Sequence, residues 1–331
     1  MEELVDSFGR VHRDLRISVT DRCNFRCTYC MPEDGLEWLP RSEVLTFEEI
    51  HRVASVLVRR FGIDSIRLTG GEPTVRADLA RLVASLASLS SSRHPVELAM
   101  TTNGATLAGS AARLREAGLG RINISLDSLH RDRFEQLTRR DELDRVLAGI
   151  DAAIDAGFDP VKLNVVAMAG VNADEIVDFA RFGRDRGVVV RFIEFMPLDA
   201  DERWSGEAVM SQAEIVELID SVFPLEEVAR TAEPAERFRY VDGGGEVGVI
   251  PSVTRPFCGD CDRVRLTSEG GLRNCLFAAD EVDLRSIMRT GGTDNDLAAA
   301  IATEVRSKAE GHAIGKVNFI RPAKSMSQIG G

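Results

Sequence analysis

The sequence predicts an α/β protein built as an incomplete (β/α)6 barrel of the TIM type, followed by a smaller α+β domain. Strand-like and helix-like segments alternate six times up to about residue 195. Such alternation is typical of right-handed βαβ units around a parallel sheet, and a closed TIM barrel would need eight units. From about 224 to 275 the chain is richer in Gly, Pro and short β-like runs. We therefore divide it into a partial barrel over residues 1–225 and a C-terminal domain over residues 226–331.

Each element follows from a local pattern. Strands are predicted at 15–20, 65–69, 96–100, 121–127, 161–168 and 188–195. Helices are predicted at 47–60, at 77–89, up to 117, up to 157 and at 173–186. The first helix has a clear start, because Thr46 is a suitable N-cap and Glu48 and Glu49 place negative charge in the first turn. Later helices are predicted near 212–223, 280–290 and 294–310.

Composition excludes several functional classes. The chain has 331 residues, 44% of them hydrophobic, so it can bury a sizeable core. Its net charge of −12 argues against a nucleic-acid or membrane-surface partner, since such binders carry a basic excess. No apolar run approaches the roughly 20 residues needed to span a bilayer. The acidic N-terminus lacks the pattern of a signal peptide, so we expect a cytoplasmic protein.

The first cysteine cluster is Cys23, Cys27 and Cys30, directly after the first predicted strand. Three thiols this close cannot all pair as disulfides, and one short loop can wrap them around a single inorganic centre. A cubane iron–sulfur cluster normally takes four thiolates, so three would leave one iron open. An open position is typical of a catalytic metal site. The alternative is a zinc knuckle or scattered structural thiols, but zinc would require a fourth Cys or His nearby.

The remaining cysteines, Cys258, Cys261 and Cys275, form a second cluster near the C-terminus. A Cys-x2-Cys pair is often half of a zinc ribbon, but the second pair is missing here. The nearest downstream histidine, His312, lies beyond two predicted helices, so a Cys3His zinc site is the alternative. Another incomplete cubane fits the count of thiols better.

Polar side chains recur on one face of the predicted strands, while the opposite faces are apolar. Positions two apart on a strand share a face. The set comprises Arg16, Ser18, Thr20, Arg67, Thr69, Thr101, Asn123, Ser125, Asp127, Lys162, Asn164 and Arg191. These residues could be the solvent-facing side of an open sheet. Because helices should cover the outer face, we instead expect them to line the lumen, where the cations would suit an anionic, phosphate-bearing substrate.

Two further motifs belong to this picture. Arg263 and Arg265 share a strand face just after the second cysteine pair, either as a solvated pair or as the far wall of an anion pocket. Gly70-Gly71-Glu72-Pro73 follows the second strand. Glycines at the end of a strand let another molecule approach the backbone closely, and Glu72 could accept from an ammonium group.

Together these motifs resemble a known family. The Cys-x3-Cys-x2-Cys loop, with an aromatic before its last cysteine, and the Gly-Gly-Glu-Pro motif resemble the radical S-adenosylmethionine (SAM) enzymes. Adding the second spacing, Cys-x2-Cys-x13-Cys, and the terminal Gly-Gly, almost the whole chain resembles the radical SAM GTP 3′,8-cyclases of molybdenum cofactor biosynthesis. The resemblance implies two [4Fe-4S] clusters, SAM, and conversion of GTP to (8S)-3′,8-cyclo-7,8-dihydroguanosine 5′-triphosphate. It also implies an electron donor and a downstream pterin-forming enzyme, with the chain acting as a monomer or homodimer.

The resemblance assigns roles to individual residues. Cys23, Cys27 and Cys30 would hold the SAM cluster, and Cys258, Cys261 and Cys275 the substrate cluster. SAM contacts are implied at Tyr29, Gly71, Glu72, Ser125 and Met196, with Tyr29 and Met196 using backbone atoms. GTP contacts are implied at Arg16, Arg67, Thr101, Lys162, Arg191, Arg263, Val264 and Arg265. The tail, Gly330 and Gly331, would reach the active site, whereas ordinary terminal disorder is the alternative.

Two rival functions remain open. A radical SAM peptide-modifying enzyme also carries auxiliary clusters, but such domains usually hold more than three further cysteines, and a peptide gives no reason for so many cations. A non-catalytic iron–sulfur or zinc protein that senses redox state or binds a partner would not need the polar lumen or the Gly-Gly-Glu-Pro motif.

Overall fold

The six predicted strands are present and lie side by side in chain order. The computed structural model describes residues 2–91, 94–198, 204–229, 233–314, 319–322 and 324–330. The strands are β1 (Asp14–Ser18), β2 (Ser65–Thr69), β3 (Glu97–Thr102), β4 (Arg121–Ser125), β5 (Lys162–Ala167) and β6 (Val189–Glu194). Each pairs in parallel with the next, which confirms the predicted α/β class with a central parallel sheet.

The connecting helices are α1 (Phe47–Phe61), α2 (Leu79–Ala87), α3 (Ala111–Glu116), α4 (Arg131–Thr138), α5 (Leu143–Asp155) and α6 (Ile176–Arg186). Thr46 caps α1 as predicted, because its hydroxyl accepts from the Glu49 N–H at 3.1 Å. The helical region predicted to end near residue 157 is instead two helices. Arg139 takes a left-handed conformation (φ 55°), which ends α4 without any glycine or proline to signal the break.

Later segments extend the same sheet on both sides. They are α7 (Gln212–Asp220), β7 (Leu225–Glu227), β8 (Glu236–Tyr240), β9 (Glu246–Ile250), β10 (Arg263–Leu266), β11 (Gly271–Arg273), β12 (Val282–Asp283), α8 (Leu284–Arg289), α9 (Asp294–Arg306) and α10 (Met326–Ile329). The strand order is β12-β11-β10-β1-β2-β3-β4-β5-β6-β9-β8-β7. Strand β10 runs parallel to β1, and β9 runs parallel to β6. The second cysteine cluster is thereby brought beside the first strand of the chain.

The apolar core lies between the sheet and its helices. Ile17, Leu68, Ile122 and Leu163 are fully buried on four neighbouring strands. Burying each such side chain stabilises the fold by about 1.5–3 kcal/mol. Since these residues alternate with polar ones, the core fixes which face of each strand carries the polar groups. None of the helices in the described ranges has the length and apolar character needed to cross a lipid bilayer.

Candidate active site

Three arginines stand side by side on the polar face of the sheet. Arg16 on β1 is in register with Arg265 on β10 and with Arg67 on β2. Partners in register on parallel strands point to the same face, about 4.8 Å apart. We call Arg265, Arg16 and Arg67 the basic row. Register alone therefore gathers three predicted GTP contacts from distant parts of the sequence.

The basic row is a set of poorly compensated cations. Arg265 is only 4% exposed, and Arg16 and Arg67 are partly buried. Burial, and then the positive charge of neighbouring arginines, lowers the pKa of all three. The Arg16 Nε atom is buried without a hydrogen-bond partner, and the Oδ2 atom of Asp14 lies 3.9 Å from it. Guanidinium groups stay charged at neutral pH, so burying them side by side is unfavourable. A bound anion would reduce this unfavourable free energy.

Further predicted GTP contacts lie on the strands beyond β2. Thr101 is in register with Asn123, and Asn123 with Lys162. Burial, followed by the positive charge of Arg191, lowers the pKa of Lys162 to about 8. The charge of Arg191 on β6 also lowers the pKa of Arg67 on β2, although three strands separate them.

The other predicted GTP contacts differ in their surroundings. Arg191 forms an ion pair with Glu233, with Nη2 and Oε2 2.8 Å apart. The Arg263 guanidinium stacks over the Phe257 ring, 4.7 Å from its centroid. Val264 is fully buried and in register with Leu15 in the core. Its side chain is therefore on the apolar face, which leaves only its backbone for a ligand.

The N-terminal cysteine loop is held in shape by arginines. Nη1 of Arg26 donates to the carbonyl oxygens of Cys23 and Phe25, both at 2.8 Å. Arg140 donates to the Asn24 carbonyl at 3.2 Å, and Arg139 to the carbonyls of Arg26 and Met31. These donors satisfy the carbonyls of a loop that has no regular secondary structure, so the protein itself defines the path of the loop.

The donor set of this loop fits an iron–sulfur cluster. All three thiols are free. Burial raises the pKa of Cys23 to about 11 and of Cys30 to about 12, and it raises the pKa of Cys27 well above its usual range. The charges of Cys30 and Cys23 raise the pKa of Cys27 further, and the charge of Cys23 raises that of Cys30. Without a metal these thiols stay protonated at neutral pH, and a bound metal would supply the positive charge that stabilises three thiolates.

A single-ion site is not seen in the same residues. Within the described part of the chain, no group of three His, Cys, Asp or Glu side chains could hold a metal ion.

Gly70 and Gly71 allow the backbone of residues 20–22 to pass close to them. A Cβ atom built on Gly71 would lie 2.3 Å from the carbonyl oxygen of Arg22. Gly70 has φ +149°, and its Cβ would lie 2.6 Å from the Thr20 carbonyl oxygen. The Gly71 N–H donates to Thr20 and the Glu72 N–H to Arg22, both at 2.8 Å. The motif therefore anchors the segment that leads directly into the first cysteine cluster.

We expect Gly71→Ala to destabilise this anchor. The added methyl group must displace the backbone of Arg22, and overpacking of this kind costs about 1–3 kcal/mol. Iron bound by the N-terminal loop should fall together with the free energy of unfolding, both measured on anaerobic protein. Gly109→Ala is the matched control, because a Cβ on Gly109 meets nothing within 4 Å. Equal behaviour of the two variants would contradict the anchoring role.

Glu72 is buried and its carboxylate is already hydrogen-bonded. It accepts from the Thr102 hydroxyl at 2.6 Å, the Asn103 N–H at 2.6 Å and the Thr74 N–H at 3.0 Å. These bonds join the Gly-Gly-Glu-Pro motif to the end of β3. The Oε2 atom accepts only the Asn103 N–H among these bonds, so it retains a lone pair for a ligand.

The other predicted SAM contacts lie near the carboxyl ends of the strands. The Tyr29 hydroxyl donates to Asp127 at 2.5 Å. Because the Tyr29 side chain is engaged in this bond, its backbone is the part left for a ligand. Burial raises the pKa of Asp127 to about 6. Ser125, at the end of β4, is in register with Asn164, whose buried Oδ1 has no hydrogen-bond partner. Met196 is half-buried just beyond β6.

The C-terminal cysteine loop lies next to β10. Burial raises the pKa of Cys258. Burial acts in the same direction on Cys261, but the positive charges of Lys308 and Arg263 outweigh it and lower the pKa of that thiol. His312 does not offer a ligand nitrogen, because Nε2 lies 3.1 Å from the Ser252 carbonyl and Nδ1 accepts from the Ile314 N–H. The Cys3His alternative therefore lacks its histidine in this structure.

The C-terminal tail lies between the two cysteine loops. The Gly330 carbonyl accepts from Nη1 of Arg265 at 2.7 Å. Gly330 has φ +81°, and a Cβ there would lie 2.7 Å from the Thr69 hydroxyl. Ser327, on the short helix α10, hydrogen-bonds Cys30. Gly331 lies outside the described residues. The structure thus places Gly330 on the basic row, and α10 is an element that the sequence did not predict.

Several residues at the site carry no motif that sequence reasoning could have used. They are Arg10, Arg26, Arg139, Arg140 and Lys308. Only Lys308 has a faint signal, because lysine fills just four of the 41 basic positions in the chain.

Comparison with known proteins finds relatives over almost the whole chain. Residues 17–183 match the model of the radical SAM superfamily, and residues 188–314 match that of the Molybdenum Cofactor Synthesis C family. A GTP 3′,8-cyclase of Rhodopirellula baltica is 49% identical, over 99% of this chain and 92% of the relative. A GTP 3′,8-cyclase of Paenarthrobacter nicotinovorans is 47% identical, over 99% of this chain and 97% of the relative.

Solved structures with low sequence identity share the fold. Streptococcus suis SuiB bound to its precursor peptide SuiA has a TM-score of 0.62 at 12% identity, covering 94% of this chain and 75% of SuiB. The same protein bound to SAM has a TM-score of 0.60 at 13% identity, covering 84% of this chain and 66% of SuiB. At this identity the likeness concerns the fold alone. The two cyclase relatives, by contrast, are almost half identical to this chain over nearly its full length. This chain therefore belongs to the GTP 3′,8-cyclase family of the radical SAM superfamily.

Proposed function

We propose that this protein is the radical SAM enzyme that converts GTP to (8S)-3′,8-cyclo-7,8-dihydroguanosine 5′-triphosphate, the first step of molybdenum cofactor biosynthesis. The observation that carries the proposal is the basic row, which is buried, poorly compensated and flanked by two free three-cysteine loops. A triphosphate supplies the anion that these arginines lack, and arginine suits forked contact with phosphate.

Each loop has its own role in this proposal. Cys23, Cys27 and Cys30 would hold the [4Fe-4S] cluster that binds SAM, and Cys258, Cys261 and Cys275 would hold the second cluster beside the purine. When bound, the first cluster and SAM would supply radical chemistry that removes a hydrogen atom from C3′ of the ribose, so that C3′ bonds to C8 of guanine. The electron donor would provide one electron for cleaving SAM and a second one, taken up with a proton, to complete the dihydroguanosine product. The protein contributes binding, orientation and electrostatics.

The remaining residues position the two small molecules. SAM would contact Gly71, Glu72 and Ser125 by side chain or backbone, and Tyr29 and Met196 by backbone. GTP would contact the basic row, together with Thr101, Lys162, Arg191 and the segment Arg263–Arg265. The tail ending in Gly330 and Gly331 would cover this pocket and keep water from the reacting atoms.

Partners and location stay predictions. We expect an electron-donor protein, and a pterin-forming enzyme that receives the product. The clustered free thiols are typical of a reducing compartment, so a cytoplasmic location is expected. A monomer or a homodimer would serve the proposed chemistry equally well.

One anaerobic assay tests the proposal. Reconstituted protein is mixed with SAM, a strong reductant and GTP, and 5′-deoxyadenosine and the cyclised nucleotide are quantified. The proposal requires both products in the presence of GTP. No 5′-deoxyadenosine under any condition would indicate a non-catalytic cluster protein, and 5′-deoxyadenosine whose yield is indifferent to GTP would indicate another substrate, such as a peptide.

GTP affinity should fall as pH rises through about 8, because Lys162 loses its proton there. The triphosphate itself keeps its charge in this range, since the phosphate pKa is about 6. We expect a loss of roughly fivefold between about pH 7.5 and about pH 9. Equilibrium dialysis with GTP at each pH measures it. Lys162→Met should bind more weakly with a flatter profile, and an unchanged slope in that variant would contradict the assignment.

Stability of the ligand-free protein should move in the opposite direction. The folded pKa of Lys162 lies below its unfolded value of about 10.4. Between these two values the unfolded chain binds more protons than the folded one, so this residue makes the folded state more stable as pH rises. The opposite trends separate loss of a ligand contact from general unfolding at high pH.

A further inference from the structure

A buried ammonium group lies against the C-terminal cysteine loop. Lys308, two residues beyond the end of α9, is 3% exposed. Its Nζ atom lies 3.5 Å from the Cys261 sulfur and 3.1 Å from the Cys261 carbonyl oxygen. The carbonyl oxygen of Arg263 lies 3.0 Å away. Lys308 therefore touches the cysteine and the first residue of the strand that carries Arg265.

His12 fixes the direction of this ammonium. Its Nδ1 atom faces two carbonyl oxygens, of Arg10 at 3.1 Å and Leu4 at 3.3 Å, so Nδ1 carries the proton. Burial lowers the pKa of His12 to about 4, and the ring is neutral. Nε2 must then accept, and the donor is Nζ of Lys308 at 3.0 Å. Three N–H groups are thus shared among four acceptors, two of which belong to Cys261.

The segment that carries Lys308 also contacts a second cysteine of the C-terminal loop. The backbone N–H of His312 donates a hydrogen bond to Cys258. Arg10 joins the two parts, because its Nη1 donates to the Cys258 carbonyl at 2.7 Å and to the Glu310 carbonyl at 2.9 Å. Two cysteines of the loop therefore receive N–H donors from residues 308–312, one of them charged.

The presence of lysine rather than arginine at position 308 supports a requirement for an ammonium group there. Only four of the 41 basic residues are lysines, so this chain uses arginine almost everywhere. A compact ammonium can be enclosed by His12 and two carbonyl groups, whereas a planar guanidinium presents five donors in a fixed fork. Three thiolates on an oxidised cubane leave a net negative charge, which a single buried cation can balance.

We propose that Lys308 donates a hydrogen bond to the Cys261 thiolate of the C-terminal cluster and raises the reduction potential of that cluster, with His12 as the residue that positions it. The inference rests on the proposed function, because it requires the second cluster. Positive charge and hydrogen bonds at a cysteine sulfur favour the reduced, more negative state of an iron–sulfur cluster. Lys308 is thus a positioning residue that acts through the cluster.

The test uses the full chain with Cys23, Cys27 and Cys30 replaced by alanine, so that the remaining cluster signal belongs to the C-terminal loop. Reduction is followed by electron paramagnetic resonance against applied potential. In this background, Lys308→Met and Lys308→Gln should each lower the ratio of reduced to oxidised cluster at fixed potential about tenfold, which is 59 mV for one electron. Lys324→Met is the matched control, because that lysine pairs with Glu269 and Glu281 instead.

A second measurement needs no substitution at Lys308. Protein labelled with 15N-lysine should show a nitrogen hyperfine coupling to the reduced cluster, and the coupling should persist in Lys324→Met. Absence of the coupling, or equal potentials in the parent and in both Lys308 variants, overturns the inference while the proposed function stands. Failure of the C-terminal loop to bind iron at all in the parent overturns both.

Discussion

Replacing Cys27 with alanine is expected to abolish formation of 5′-deoxyadenosine, whether GTP is present or not. Cys27 lies in the middle of the half-buried N-terminal loop, and the other two thiols both raise its pKa. Two thiolates are too few to hold the cubane that the loop is shaped to accept. Anaerobic protein should lose the iron bound at this loop, and 5′-deoxyadenosine should fall to the level of a protein-free control.

Replacing Cys275 should have a different effect, and this pair of variants separates the two loops. Cys275 belongs to the C-terminal loop, so Cys275→Ala should abolish the cyclised nucleotide while slow cleavage of SAM continues without dependence on GTP. Iron content should fall by one cluster in each variant. If Cys275→Ala also stopped SAM cleavage, the two loops would depend on each other structurally, and the division of roles proposed for them would be wrong.

The fold was predictable because its signals are local. Several strands alternate apolar and polar residues, as in Arg16-Ile17-Ser18, and this alternation indicates both the strand and its buried face. Thr46 caps α1 as predicted, and the structure adds that Glu49 completes a capping box with it. Strands β9 and β10 were harder, because a four-residue segment such as Arg263–Leu266 carries no information about which distant strand it will join.

The site was predictable only where a motif marks it. Cysteine spacing located both loops, and strand alternation placed Arg16 and Arg67 on one face. The register that sets Arg16 between Arg67 and Arg265 is a property of the assembled sheet. Lys308 and His12 are 296 residues apart in the sequence. Their contact depends on how the two ends of the chain pack together, and no local sequence pattern predicts that packing. Val264 was implied as a GTP contact by the family resemblance, but its side chain lies in the apolar core. A motif match therefore does not by itself show which atoms of a residue face the ligand.

Arg67→Met should weaken GTP binding by about 30-fold or more. Removing one partner of a buried, charge-assisted contact typically costs 2–5 kcal/mol, and about 1.4 kcal/mol corresponds to a factor of ten. Arg67 suits this test better than Arg265, because Arg265 also holds the Gly330 carbonyl and its loss would release the tail. Equilibrium dialysis of anaerobic protein with GTP measures the effect. Arg237→Met is the control, since Arg237 lies on β8 and pairs with Glu246.

The same substitution should not weaken the ligand-free protein, which distinguishes a binding residue from a structural one. Burial and the charges of neighbouring arginines lower the folded pKa of Arg67 below its unfolded value. The charge therefore opposes folding, and its removal relieves that cost. The melting temperature without GTP should stay the same or rise, and the absorbance of the N-terminal cluster should be unchanged. A lower melting temperature with unchanged GTP affinity would make Arg67 a structural residue. It would also contradict the proposal that the basic row binds the triphosphate.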